Sequence, residues 1–163
     1  MSIETVRAYL ARWNRDKDIT ENPASTATVA EAAAVLGVIP ARIAKSISLK
    51  NGDEKAMLIV IAGDMKLDNR KYKERFGFKA RMLSPDEALN MTGHAVGGIC
   101  PFALPDTVDV YLDVSLKRFE TIFPACGNNN SEIELTPGEL DEYSQNKEWV
   151  DVCKTIEDVI AKT

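Results

Sequence analysis

The lysine at position 45 stands where an apolar side chain is expected. Residues 43–50 read IAKSISLK. Strand alternation puts Ile43, Lys45, Ile47 and Leu49 on one face, with Ala44, Ser46, Ser48 and Lys50 on the other. A buried ammonium without a partner is very costly. Such a lysine either snorkels to an edge, pairs with a carboxylate or lines a ligand cavity. A second stretch, residues 92–102 (TGHAVGGICPF), holds three of the nine glycines, the single histidine His94, the cysteine Cys100 and Pro101. Gly97 and Gly98 permit backbone angles closed to other residues and let another molecule approach the main chain. Pro101 fixes one dihedral and stiffens the exit. The pattern suits a contact loop with exposed amides, and equally an ordinary turn between two elements.

Other chemistries are thinly supported. There is no GxSxG elbow, no Walker loop and no dinucleotide fingerprint. A Cys–His nucleophile would need Cys100 or Cys126 beside His94, and loop packing is the simpler role for that histidine. One histidine and three scattered thiols do not make a metal site, so neither metal nor cofactor is expected. What remains is a lysine in an apolar row, amides in a glycine-rich loop, and carboxylates at Asp113 and Glu132. These groups suit an ester or phosphodiester ligand. Amides and ammonium stabilise an oxyanion, and a carboxylate orients water.

Several elements must position these groups. Ile3, Val6, Leu10 and Trp13 recur at helical spacing over residues 3–14. Thr28 and Glu31 form a capping box for a helix to Leu36, which Gly37 stops. Asn51-Gly52 marks a hairpin between the strand at 43–50 and a nearly all-apolar strand at 56–62. A basic helix is expected from Leu67 to Phe76, and Ser84-Pro85-Asp86-Glu87 opens another that delivers the chain into the glycine-rich loop. Strands follow at 108–112, at 116–124 and around 132–135, with a turn at 126–130. Thr136 caps a further helix, and Trp149, Val152, Ile156, Val159 and Ile160 predict a C-terminal helix. The expected fold is α+β: a mixed, partly barrel-like β-sheet flanked by short helices, forming a single domain over residues 1–163.

Composition narrows the class. Hydrophobic content of 45% with 28% charged residues is globular. No apolar run approaches the roughly 18–20 residues of a membrane span, so no membrane partner is expected. The acidic, amphipathic N-terminus does not read as a signal peptide, and the three cysteines read as reduced thiols in a cytoplasmic protein. The net charge of −5 hides an asymmetry: residues 41–81 hold eleven Lys/Arg against five Asp/Glu, and residues 82–163 hold five against fifteen. A basic band of this kind guides a polyanion to one face or is merely a solvated exterior.

The order of these motifs resembles the YbaK family of freestanding editing domains, related to the editing domain inserted in bacterial prolyl-tRNA synthetases. The resemblance spans about residues 20–143. It rests on Ser25-Thr26, Glu31-Ala32-Ala33, Leu36-Gly37-Val38, Ala44-Lys45-Ser46, Gly63-Asp64 with Leu67-Asp68, Thr92-Gly93, Gly97 to Phe102, Asp113, and Ile133-Glu134-Leu135 with Pro137 and Leu140. It implies trans-editing hydrolysis of mischarged aminoacyl-tRNA bearing a small amino acid such as alanine or cysteine, on tRNA for proline among others, with prolyl-tRNA synthetase as a further partner. Lys45 then matches the functional lysine and Glu132 a position that often carries aspartate, which makes these two the catalytic candidates. The loop from Gly97 through Gly98, Ile99 and Cys100 to Pro101 matches the one that receives the 3′ end of tRNA. Ser46, His94, Cys126 and Gly127 complete the expected substrate-binding set. Three positions depart from the pattern: Cys126 replaces a glycine, Glu132 is one methylene longer, and Ile19 stands where the cysteine-specific branch has a tyrosine. Cys100 and Cys126 facing a pocket would narrow it in favour of a small amino acid. The alternative is a non-catalytic module that binds tRNA or a synthetase with the same loop.

Overall fold

The computed structural model describes residues 2–156. Its centre is a hairpin of β2 (Ile43–Lys50) and β3 (Ala56–Ala62), which pair antiparallel with Lys45 opposite Ile61 and Ser46 opposite Val60. Every residue of β3 is buried because both sheet faces are covered, which is why its sequence is a continuous apolar run. β5 (Asp109–Asp113) adds parallel to β3, and β8 (Glu148–Val150) adds parallel to β5. On the opposite edge the two-residue β6 (Phe123–Pro124) lies parallel to β2, giving the order β6-β2-β3-β5-β8. One face packs Leu58, Val60 and Leu112 against Val6 and Leu10 of α1 (Ser2–Leu10). The other packs Ile47, Met57, Ile59 and Ile61 against Tyr72 of α3 (Asn69–Phe76).

The sheet curls at its β6 edge. Bridges between Ile122 and Leu135, and between Ala125 and Glu132, lead to β7 (Ser131–Glu132), which pairs antiparallel with β1 (Thr20–Glu21). Three capping boxes form as expected: Thr28 with Glu31 on α2 (Val29–Leu36), Ser84 with Glu87 on α4 (Pro85–Thr92), and Thr136 with Glu139 on α5 (Pro137–Ser144). Among the described residues, no helix is long and apolar enough to cross a membrane.

Two expected elements differ. The C-terminal helix is replaced, as far as the described residues go, by β8 and by β9 (Cys153–Thr155), which pairs with β4 (Met65–Leu67). Trp149 and Val152 do share helical spacing, but Trp149 lies opposite Leu112 in the sheet and the Val152 amide donates to Asp113 Oδ1 at 2.9 Å. Tertiary pairing overrides the periodic pattern. Val159 and Ile160 lie outside the described residues. The expected strand at 116–124 is extended only at its end, in the Ile122 bridge and β6; its start falls in a short 3-10 turn, Val114–Arg118, which the Asp113 carboxylate begins by accepting from the Ser115 amide at 3.0 Å.

Candidate active site

Lys45 is set by the phase of β2. Its row neighbours Ile43, Ile47 and Leu49 are buried, yet Lys45 itself is exposed. The reason lies at the strand edge, where β6 pairs only with Ile43 and Ala44. The ammonium forms no ion pair or hydrogen bond among the described residues. Of the three outcomes open to a lysine in an apolar row, pairing with a carboxylate is excluded here. Ser46, next along, is partly exposed.

The glycine-rich loop follows α4 directly. Thr92 is fully buried, and its hydroxyl donates to the Ala88 carbonyl at 2.6 Å and accepts from the His94 amide at 3.1 Å. Gly97 has φ of +95°, and the Gly98 amide donates to the Ala95 carbonyl at 3.0 Å, closing a turn. The amides of Gly97 and Ile99 have no acceptor among the described residues. Beneath the loop lies the turn that follows Cys126. A Cβ on Gly98 would sit 2.6 Å from Asn128 Cα, and one on Gly97 would lie 3.6 Å from Asn129 Cβ. Gly127, with φ of +103°, packs in turn against the backbone of Ser2 and Ile3. Both loops therefore need glycine for close backbone approach.

Segment 20–26 holds the same turn from the other side. Asn22 and Asn130 exchange hydrogen bonds, the Asn22 amide to the Asn130 carbonyl at 2.7 Å and Asn130 Nδ2 to the Asn22 carbonyl at 2.9 Å. The Thr26 amide donates to the Asn129 carbonyl at 2.7 Å. Asn22 and Thr26 were not among the expected site residues. Their signal is long-range pairing, which no local pattern carries.

The remaining candidates are interior. His94 is 1% exposed, its Nε2–H donates to the Phe102 carbonyl at 2.8 Å, and its Nδ1 accepts from the Ser2 hydroxyl. A carbonyl can only accept, so the ring is the Nε2–H tautomer with both nitrogens engaged. Burial lowers its pKa, partly offset by the Phe102 carbonyl. Cys100 Sγ is 3.5 Å from His94 Nε2, but burial pushes this thiol up to about 12. Cys126 is also fully buried, and desolvation, with Cys100 and Glu132 nearby, raises its thiol well above the usual value. A thiolate–imidazole pair is not available in this arrangement. Both cysteines sit in the main core rather than on a pocket wall. Pro101 is buried too.

Glu132 is 3% exposed. Asn22 Nδ2 donates to its Oε1 at 2.5 Å, while Oε2 is buried without a partner among the described residues. The Thr26 hydroxyl lies close by but is directed at the Asn129 carbonyl, at 3.4 Å. Burial raises the carboxyl pKa, and Thr26 and Asn22 partly offset that rise. Asp113, the other carboxylate, is 1% exposed and fully used in holding Ser115 and Val152, so its role is structural.

The candidate groups are thus an exposed lysine at a strand edge and, on the loop after α4, two amides without an acceptor among the described residues, the loop lying over a second, tightly packed turn. A model of the aminoacyl-tRNA editing domain matches residues 23–143. The chain belongs to that family. The editing-domain match covers the elements from α2 through most of α5. An uncharacterized Bacillus subtilis (strain 168) protein, YwhH, is 57% identical over 154 residues, covering 94% of this chain and 98% of its own length. An Enterococcus faecalis protein named "Putative Cys-tRNA(Pro)/Cys-tRNA(Cys) deacylase EbsC" is 28% identical over 119 residues, 72% of this chain and 71% of its own. A solved structure described as "a putative trans-editing enzyme for prolyl tRNA synthetase" superposes with a TM-score of 0.84 at 28% identity, covering 94% of this chain and 97% of its own. This editing domain shares with that structure its mixed sheet and short helices.

Proposed function

We propose that this editing domain acts in trans as an aminoacyl-tRNA deacylase, hydrolysing the ester of a small amino acid such as alanine or cysteine on a mischarged tRNA, with tRNA for proline the first to be tested. The observations that carry this reading are the amides of Gly97 and Ile99, without an acceptor among the described residues on a loop whose backbone contact at Gly98 admits only glycine, and the exposed Lys45, which forms no ion pair or hydrogen bond among the described residues. The loop amides hold the terminal adenosine and the ester. Water adds to the ester carbonyl, the resulting oxyanion is stabilised by amide and ammonium, and collapse releases the amino acid and the ribose hydroxyl. No protein nucleophile takes part, in keeping with the buried, protonated thiols.

The interior residues act by positioning. His94 ties the loop to α1 through Ser2, and Gly127 seats on the same residue. Glu132, buried and bonded to Asn22, enters as a positioning residue that fixes segment 20–26 under the loop. Cys100 and Cys126 set the packing beneath the bound amino acid. The basic band supplies Lys73, Lys79 and Arg81, exposed and without ion pairs among the described residues, as contacts for the tRNA backbone.

A deacylation panel tests this: tRNA for proline and for alanine, each charged with alanine, cysteine, serine or proline, incubated with the protein. Selective loss of one small-amino-acid ester is the expected result. Tight binding with no hydrolysis across the panel supports the non-catalytic module instead.

A further inference from the structure

The outer edge of β2 is filled at both ends and open in the middle. The Asn51 amide bonds to the Lys55 carbonyl, so in this hairpin the odd-numbered residues of β2 direct their amides and carbonyls towards β3. The even-numbered residues point outward. At one end Ala44 is covered by β6. At the other, the Lys50 amide donates to the Arg81 carbonyl at 2.8 Å and the Leu83 amide donates to the Ser48 carbonyl at 3.1 Å. Between them stands Ser46. The bridge of Leu49 with Met82, continued in register, would bring Pro85 opposite Ser46, but proline has no amide hydrogen and already begins α4. On the β6 side, pairing stops at Pro124. Neither the main chain nor the hydroxyl of Ser46 has a hydrogen-bond partner among the described residues.

An outward residue of an antiparallel strand exchanges two hydrogen bonds with the residue facing it, its amide donating to that residue's carbonyl and its carbonyl accepting from that residue's nitrogen. An aminoacyl ester presents this same pair of groups on one residue: an α-ammonium that donates and an ester carbonyl that accepts. We propose that the Ser46 main chain recognises the aminoacyl group as a one-residue strand, its carbonyl binding the α-ammonium and its amide binding the ester carbonyl. This rests on the deacylase reading. It adds how the domain reads what all amino acids share, leaving size to the surroundings. It also orients the ester carbonyl beside Lys45, the adjacent residue. The contact is strongest with a charged α-ammonium, so N-blocked esters, which keep only a neutral N–H donor, should be bound more weakly than free aminoacyl esters.

The test uses the full chain and the panel substrate it hydrolyses fastest. Its acceleration is measured for that ester and for the ester of the deamino acid (propionyl in place of alanyl), each divided by the uncatalysed rate of the same ester. Loss of a hydrogen bond to a charged group predicts an acceleration lower by about tenfold or more for the deamino ester. Equal acceleration for the two overturns the proposal and leaves the deacylase reading standing. Failure to hydrolyse any aminoacyl-tRNA removes both. A second readout is amide exchange by NMR with a non-hydrolysable 3′-aminoacylamino-adenosine. The Ser46 amide should exchange freely in the unbound protein and slow by about tenfold when bound, while Lys45 and Ile47 stay protected throughout. An unprotected Ser46 amide in the bound protein contradicts the contact.

Discussion

Gly98 and Asn128 pack backbone to backbone, with 2.6 Å between the place a Gly98 Cβ would occupy and Asn128 Cα. This contact joins two loops thirty residues apart in sequence and sets the height of the Gly97 and Ile99 amides. A methyl group at Gly98 has no flexible neighbour to displace, only backbone. Gly98→Ala should therefore cost about 1–3 kcal/mol of stability, read as a lower urea midpoint, and cut deacylation well beyond that loss of folded protein. An alanine variant with full activity would show that the loop contact is incidental.

His94 makes stability depend on pH in a known direction. Its imidazole is held neutral in the fold below the ordinary value of 6.5, whereas the unfolded chain takes up its proton near 6.5. The unfolded state binds more protons in that window, so stability from His94 is complete above pH 6.5 and falls as pH drops below it. His94→Gln loses about 1–3 kcal/mol at pH 7.5 through its lost hydrogen bonds. The gap between wild type and variant should narrow at pH 5 in urea titrations. A constant gap would mean that the ring is not the neutral tautomer with both nitrogens bonded.

Glu132 runs the opposite way. Its folded pKa is raised by burial above the usual carboxyl value of 4.5. The unfolded carboxyl ionises first, so the wild type loses stability as pH rises from 4.5 through the folded pKa. Glu132→Gln lacks this penalty, and its stability relative to wild type should improve between pH 4 and pH 8. As a positioning residue, Glu132 is also expected to raise KM more than it lowers kcat when replaced, and Glu132→Asp should restore less than Gln does because it cannot reach Asn22. A Gln variant with kcat abolished and KM unchanged would instead make the carboxylate a direct participant.

Much of this arrangement was legible in the sequence, and the division is physical. The bounds of β2 and β3 and the boxes at Thr28, Ser84 and Thr136 depend on alternation and on side chains three residues apart, which are local properties. Lys45 stood out because one charged residue broke an apolar row. The strands near the C-terminus did not show, since Trp149 and Val152 satisfy helical spacing and only pairing with β5 decides their fate. The interior placement of His94, Cys100 and Cys126 was equally hidden, because a polar or thiol side chain in a glycine-rich loop reads the same whether it faces solvent or the core. The Asn22–Asn130 exchange and the gap at Ser46 depend on contacts between distant segments or on their termination.

The basic face should act through affinity. Lys73, Lys79 and Arg81 are exposed and free of ion pairs among the described residues, so replacing all three with Glu leaves the core untouched. The expected result is a higher KM for charged tRNA, a shallower dependence of KM on salt, and kcat within about twofold of wild type. An unchanged KM at low salt would place the tRNA elsewhere.

Lys45 gives the most direct measurement of the whole account. Its side chain is exposed and unpaired among the described residues, so Lys45→Ala should shift stability by no more than about 0.5 kcal/mol. The same substitution removes the cation assigned to the oxyanion formed at the ester, where loss of such a group costs about 100-fold or more in kcat/KM. The decisive experiment is hydrolysis of the preferred mischarged tRNA by wild type and Lys45→Ala, alongside their urea midpoints. The prediction is a folded variant with deacylation reduced by about 100-fold. Deacylation at the wild-type rate in a folded Lys45→Ala protein would falsify the central claim.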